Sequence, residues 1–317
     1  MSKPSRFLSL LFGAVFYGAV FSGALFLSAL TGCTPSGADA TTDTPPEAPA
    51  ETVEKPDLPP VTPGQPISRR SIDERDVALV THFLDGGADI EAEIDLGATA
   101  LLIAIAMRSD AVIDLLLARG ADVNASSSEG ESPLMSCVIL NRLPLAKRLV
   151  AHGADLSAES KHGRTVLGVA AHMGYNDWIH WLFEEGIEVD TTTRNGTTAL
   201  HRACRRGMLE TVTLLLDHAA SPDLPDQQGR TPLFEAIENG SVDCVQLLLS
   251  RGVEVNRVTQ HYQETPLIIA AKKGHEEIVA LLLASGADRS LKDRNGRTAL
   301  DHARTKEYAN LIELLEK

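Results

Sequence analysis

Apolar residues cluster along the chain beyond residue 100 in short triplets, among them Leu115-Leu116-Leu117, Leu214-Leu215-Leu216, Leu247-Leu248-Leu249 and Leu281-Leu282-Leu283. A Gly stands a few residues after most of them, at 87, 120, 153, 186, 252 and 286, usually followed by Ala-Asp. A second Gly series falls at 97, 130, 163, 196 and 229, always 33 residues apart, and resumes at Gly296 after one inserted residue, with Gln263 in the intervening place. Two residues beyond each marker comes Thr or Ser, one other residue, then Leu, as in Thr99-Ala100-Leu101, Ser132-Pro133-Leu134 and Thr265-Pro266-Leu267. This order predicts two helices per unit. Thr or Ser caps the first, its oxygen accepting from an otherwise orphaned amide. Pro next to it is preset for the first helical position. A Gly nine residues after the Thr, at 174, 207, 240 and 274, breaks that helix for a tight turn. The second helix presents its Leu triplet and stops at a Gly able to take the left-handed conformation without Cβ strain.

Helix, turn, helix and hairpin at a period of 33 resembles the ankyrin repeat. The resemblance covers residues 67–317: a partial unit at 67–96, units at 97–129, 130–162, 163–195, 196–228, 229–262 and 263–295, and a cap at 296–317. The fold class it implies is an all-α solenoid in which each unit buries its apolar face on its neighbours. Thr198-Ala-Leu-His201 and Gly274-His275 keep the His residues of that family; the other units have lost them. Two departures flank the unit 229–262: Ala219 in place of the terminating Gly, and the inserted residue with Gln263. The region 214–265 is therefore expected to be the weakest seam of the array.

Residues 34–66 break the pattern. They hold nine Pro, no aromatic residue and six acids against one Lys, too little apolar surface to offset chain entropy. A disordered, extended tether is expected there. Before it, Lys3 and Arg6 precede the apolar run Phe7–Leu30, which reads as a secretion signal. Leu30-Thr31-Gly32-Cys33 resembles the lipobox of bacterial lipoproteins, which implies cleavage after residue 32 and lipidation of Cys33. The implied location is the bacterial cell envelope, with the membrane reached through N-terminal lipid. Thr34 in place of Asp favours the outer membrane. The alternative is an uncleaved anchor, since the run is long enough to span a bilayer. That version would be a membrane-anchored inhibitor, an immunity or regulatory protein, or an enzyme accessory factor.

Composition narrows the function. A net charge of −14 opposes nucleic-acid binding, which needs a basic surface, and aromatics at 4% leave few stacking platforms. Four Cys in 317 residues are too few for a disulfide scaffold. No GxSxG, HExxH, GxGxxG or phosphate loop occurs, so no catalytic residue, metal or cofactor is assigned. His201 and Cys204 share a helix face without a further ligand pair, and Cys137, Cys204 and Cys244 stand where small buried apolar residues belong. Trp178 and Trp181 take core positions of a second helix.

The resemblance places the binding surface on the hairpin tips and the exposed edge of the first helices. Basic residues dominate at those positions: Lys161, Arg164, Arg194, Arg205, Arg206, Arg230, Lys272, Lys273, Arg294, Arg297 and Lys306, against Asp95, Glu129, Glu131, Glu238 and Glu264. The earlier units place Leu96, Met107, Ile139, Leu140 and Met173 there. The expected groove is apolar at its N-terminal end and cationic towards the C-terminus, suited to a protein partner with an acidic stretch, on a monomeric array.

Overall fold

The computed structural model describes residues 58–317; the expected signal, Cys33 and residues 34–57 of the expected tether lie outside the described residues. Residues 62–317 form one compact unit. Among the described residues there are sixteen helices in eight antiparallel pairs and no extended strand. In chain order they are α1 (Arg69–Asp73), α2 (Val77–Asp85), α3 (Ala100–Ala106), α4 (Asp110–Ala118), α5 (Pro133–Ile139), α6 (Leu143–Ala151), α7 (Val166–Met173) and α8 (Asn176–Glu184). They continue with α9 (Ala199–Arg206), α10 (Leu209–Asp217), α11 (Pro232–Asn239), α12 (Val242–Ser250), α13 (Pro266–Lys273), α14 (Glu276–Ala284), α15 (Ala299–Thr305) and α16 (Ala309–Glu316). Odd-numbered helices pack on one another as an inner row, and even-numbered helices back them as an outer row. This is the solenoid the repeat predicts.

Small residues let the inner row approach closely. Ala104, Ala170, Ala171, Ala203, Ala236, Ala270, Ala271 and Ala303 are all fully buried. The central Leu of each triplet, Leu116, Leu215, Leu248 and Leu282, is fully buried between the rows. Trp178 and Trp181 join this core, as do Cys137, Cys204 and Cys244. Burial pushes the Cys137 thiol up to about 12, and it raises Cys204 and Cys244 as well.

Local signals account for most element ends. Ser132, Thr165, Thr198, Thr265 and Thr298 each accept from the amide three residues on. Thr99 and Thr231 differ from this expectation: their hydroxyls make no cap bond and are buried without a partner. The left-handed turn after the inner helix persists where Gly is missing. Arg75, Arg108, Asn141 and Glu307 hold φ of 57°, 55°, 52° and 58° at the positions of Gly174, Gly207, Gly240 and Gly274. Likewise Ala219 keeps φ 63° in place of the terminating Gly, and Gln263 keeps φ 52° in place of the marker. The inserted residue is absorbed in its hairpin, where Thr259 N–H reaches Glu264 O five residues on; the other hairpins close over four, as from Asp293 N–H to Arg297 O.

The ordered array begins earlier than the tether boundary read from the sequence. Gly64 N–H donates to Gly87 O and Asp89 N–H to Gln65 O, both at 2.8 Å, so residues 62–66 belong to the first unit. That unit has both helices, as has the cap at 296–317. None of the described helices is long and apolar enough to cross a membrane.

Candidate binding groove

Hairpin tips stack through backbone hydrogen bonds: Lys161 N–H to Glu129 O, Gln227 N–H to Asn195 O, Gln260 N–H to Gln228 O and Arg294 N–H to Tyr262 O. Beneath the tips, the open ends of the inner helices form the other wall of a groove. Along it lies a cavity of about 710 Å³ between α9, α11 and the hairpins at 193–197 and 226–230. Asn195, Thr197, Gln227, Gln228 and Asn239 line it with amide and hydroxyl groups, and Arg202, Arg205, Arg230, Asp226, Glu235 and Glu238 with charge.

The apolar residues expected at the N-terminal end are present on this edge. Met107, Ile139, Leu140 and Met173 lie half-buried at the ends of α3, α5 and α7. Leu96 is 61% exposed and sits at the first hairpin tip with φ 50°.

The cationic part departs from the expectation in one respect: most of its charges are already paired within the array. Arg164 meets buried Glu131 at 2.7 Å, Arg194 approaches Glu159 at 3.9 Å, and Arg205 and Arg230 share Glu235 at 3.3 and 3.2 Å. Lys273 pairs with Glu238 at 2.7 Å, Lys272 with Glu264 at 2.5 Å and Arg297 with Asp293 at 3.3 Å. Glu159, Glu235 and Asp293 lie outside the positions used to map the groove, so a one-dimensional charge count overstates its positive excess. Among the described residues, exposed Lys161, Arg206, Arg294 and Lys306 have no carboxylate partner. Burial raises the Glu131 pKa, with Arg164 opposing it.

Two groups escape a reading of the sequence alone. Arg202 lines the cavity and donates from Nη2 to Gly163 O at 3.0 Å, bridging to the previous unit. Its spacing of three and four from Arg205 and Arg206, which puts all three on one helix face, is the available signal. His172 is the second. Burial, then Arg206, Arg202 and Arg205, lower its pKa to about 4. His201 is not free to take a metal: Nδ1 engages Thr198 and Nε2 meets Arg230 O at 3.0 Å. Burial lowers its pKa too.

A family model described as ankyrin repeats (3 copies) matches residues 72–160, 127–193, 167–259 and 256–317. No curated protein matches the chain.

Proposed function

From the premise that this chain belongs to the ankyrin-repeat family, we propose that it is a non-catalytic scaffold that takes a protein partner in the groove between hairpin tips and inner helices. The observation that carries this reading is the groove itself. Apolar Leu96, Met107, Ile139, Leu140 and Met173 lead along it to the polar cavity at α9 and α11. Amide side chains on the tips offer a donor and an acceptor each, which suits the backbone of a protein segment. The unpaired cations Lys161, Arg206, Arg294 and Lys306 suit acidic side chains on that segment, and such binding weakens with salt.

The N-terminal sequence extends the proposal to location. Lipid on Cys33 would hold the array at the bacterial envelope, and the Pro-rich segment would set it off from the membrane. Replacing Cys33 with Ser should abolish incorporation of labelled fatty acid; undiminished labelling would refute lipidation at this residue. Retention of the segment before Cys33 in the mature protein would favour the uncleaved anchor.

The groove is tested with a photo-crosslinking residue at 239, which lines the cavity on the inner row, and at 147 on the outer row, in envelope preparations. Adducts should form from 239 and not from 147. Paired reversal of Arg205 and Arg206 to Glu should weaken partner capture, and reversal of Lys147 and Arg148 should not. Adducts from 147 alone would sink the reading.

A further inference from the structure

Arg202, Arg205 and Arg206 stand three and four residues apart on one face of α9, and the carboxylates near them, Glu235 and Glu159, are each engaged by other arginines as well. Glu235 is shared: Oε2 faces Arg205 and Oε1 faces Arg230. Glu159 is occupied by the backbone and side chain of Arg194. Among the described residues no carboxylate lies within ion-pair distance of Arg202 or Arg206. Arg202 is half-buried, and burial followed by the repulsion of Arg205 lowers its pKa. A guanidinium withdrawn from water normally has a paired anion to offset its lost hydration. Its direct partner here is the neutral carbonyl Gly163 O, which fixes the fork in place, while Glu235 and Glu159 act on it only from beyond ion-pair distance. Beside the cluster, His172 Nδ1 is buried with no hydrogen-bond partner.

We propose that Arg202 and Arg205, which line the groove cavity, form with the neighbouring exposed Arg206 an oxyanion subsite on α9, which receives a carboxylate side chain of the protein partner. The inference rests on the reading of this groove as the partner surface and names what that surface selects. A planar guanidinium fork matches a carboxylate in two parallel hydrogen bonds, and the anchored Arg202 loses little side-chain entropy in making them. The chain as a whole carries −14, so a polyanion is repelled by much of its surface. Screening confines the attraction to within about 8 Å of the subsite at physiological salt. Binding of an acidic peptide is then a local property of the cluster.

The test uses the full-length chain in detergent micelles and a fluorescein-labelled hexaglutamate peptide, followed by anisotropy at about 0.15 M salt. Saturable binding is expected. Arg202→Met should weaken it about tenfold or more, the scale of losing a hydrogen bond to a charged group. Arg148→Met, on the outer row, should leave it unchanged. If Arg202→Met fails to fold, the exposed pair Arg205→Met and Arg206→Met carries the test, with the same loss expected. Absence of binding to the native chain, or equal weakening by Arg148→Met, would overturn the subsite. A phosphoserine hexapeptide binding more than about tenfold tighter than hexaglutamate would overturn the choice of carboxylate in favour of phosphate. Loss of the subsite with crosslinks from position 239 intact would leave the scaffold reading standing; crosslinks confined to position 147 would remove the scaffold reading itself.

Discussion

Trp178 Nε1 donates to Asn141 Oδ1 at 2.9 Å, across 37 residues of chain. Asn141 holds φ 52° at a turn where four later units have Gly, and Trp178 is 1% exposed. The same position in two earlier units also reaches forward. Arg75 donates to Met107 O at 2.9 Å and Arg108 to Leu140 O at 3.0 Å. At Arg75, Arg108 and Asn141 the side chain thus braces the following unit, and the strain of the left-handed conformation is offset by a contact between repeats.

Asn141→Ala should therefore cost about 2–4 kcal/mol. It leaves the indole N–H buried and unpaired, at about 1–3 kcal/mol, and keeps a non-Gly residue in the left-handed region. Asn141→Gly relieves the strain and should cost less. Urea unfolding of both variants checks the order; Ala equal to or milder than Gly would contradict it.

Two Gly positions separate conformational strain from close approach. Gly120 has φ 82° and open space within 4 Å of where a Cβ would stand, whereas a Cβ at Gly97, φ 70°, would stand 2.7 Å from Ser128 N. Gly120→Ala should cost about 1 kcal/mol and Gly97→Ala clearly more. Conversely, Ala219→Gly should raise stability by several tenths to about 1 kcal/mol, because Ala219 already sits at φ 63°. Thermal or urea midpoints decide all three.

Acid should loosen the array before most carboxylates titrate. Burial lowers His172 from 6.5 to about 4, and it also lowers His201 and His275. A depressed histidine leaves the unfolded chain holding more protons below pH 6.5, so stability falls from there towards pH 4. Raised Glu131 works in the opposite sense, its penalty easing as it protonates. At Asp293 burial is outweighed by hydrogen bonds from Arg297, His302 and Asn295, which hold the pKa at about 2. Its contribution is complete above pH 3.8 and is lost between there and about 2. Unfolding free energy measured from about pH 7 to 4 should decline, and His172→Gln should flatten the decline. An unchanged slope in that variant would remove His172 from the account.

Buried, protonated thiols report opening of the stack. Cys137, Cys204 and Cys244 are buried with raised pKa values, so alkylation at about pH 8 should require local or global unfolding. Cys244 lies in α12, between Ala219 and the enlarged hairpin at Thr259–Glu264. It should react faster than Cys137 under mild denaturant, and amides across 214–265 should exchange faster than those of the preceding units. Uniform exchange would reject a weak seam.

The helices and their ends are legible in the chain because their causes are local: an apolar triplet, a capping Thr, a Pro at the first turn, a residue at positive φ. Repetition at 33 residues then implies the stack, since no unit of two short helices buries its own apolar face. The missing cap bonds at Thr99 and Thr231 are not legible, because Ser132 and Thr165, identical in pattern, do accept the bond, and only side-chain placement separates them. The groove residues are legible as positions and not as charges. Whether Arg164, Arg205 or Arg230 is available depends on Glu131 and Glu235 in a neighbouring turn or unit. Arg202 gains its anchor at Gly163, 39 residues away. Periodic sequence thus determined the unit and its stacking, whereas ion pairing and desolvation were decided by distances between units, which exist only once the helices are packed.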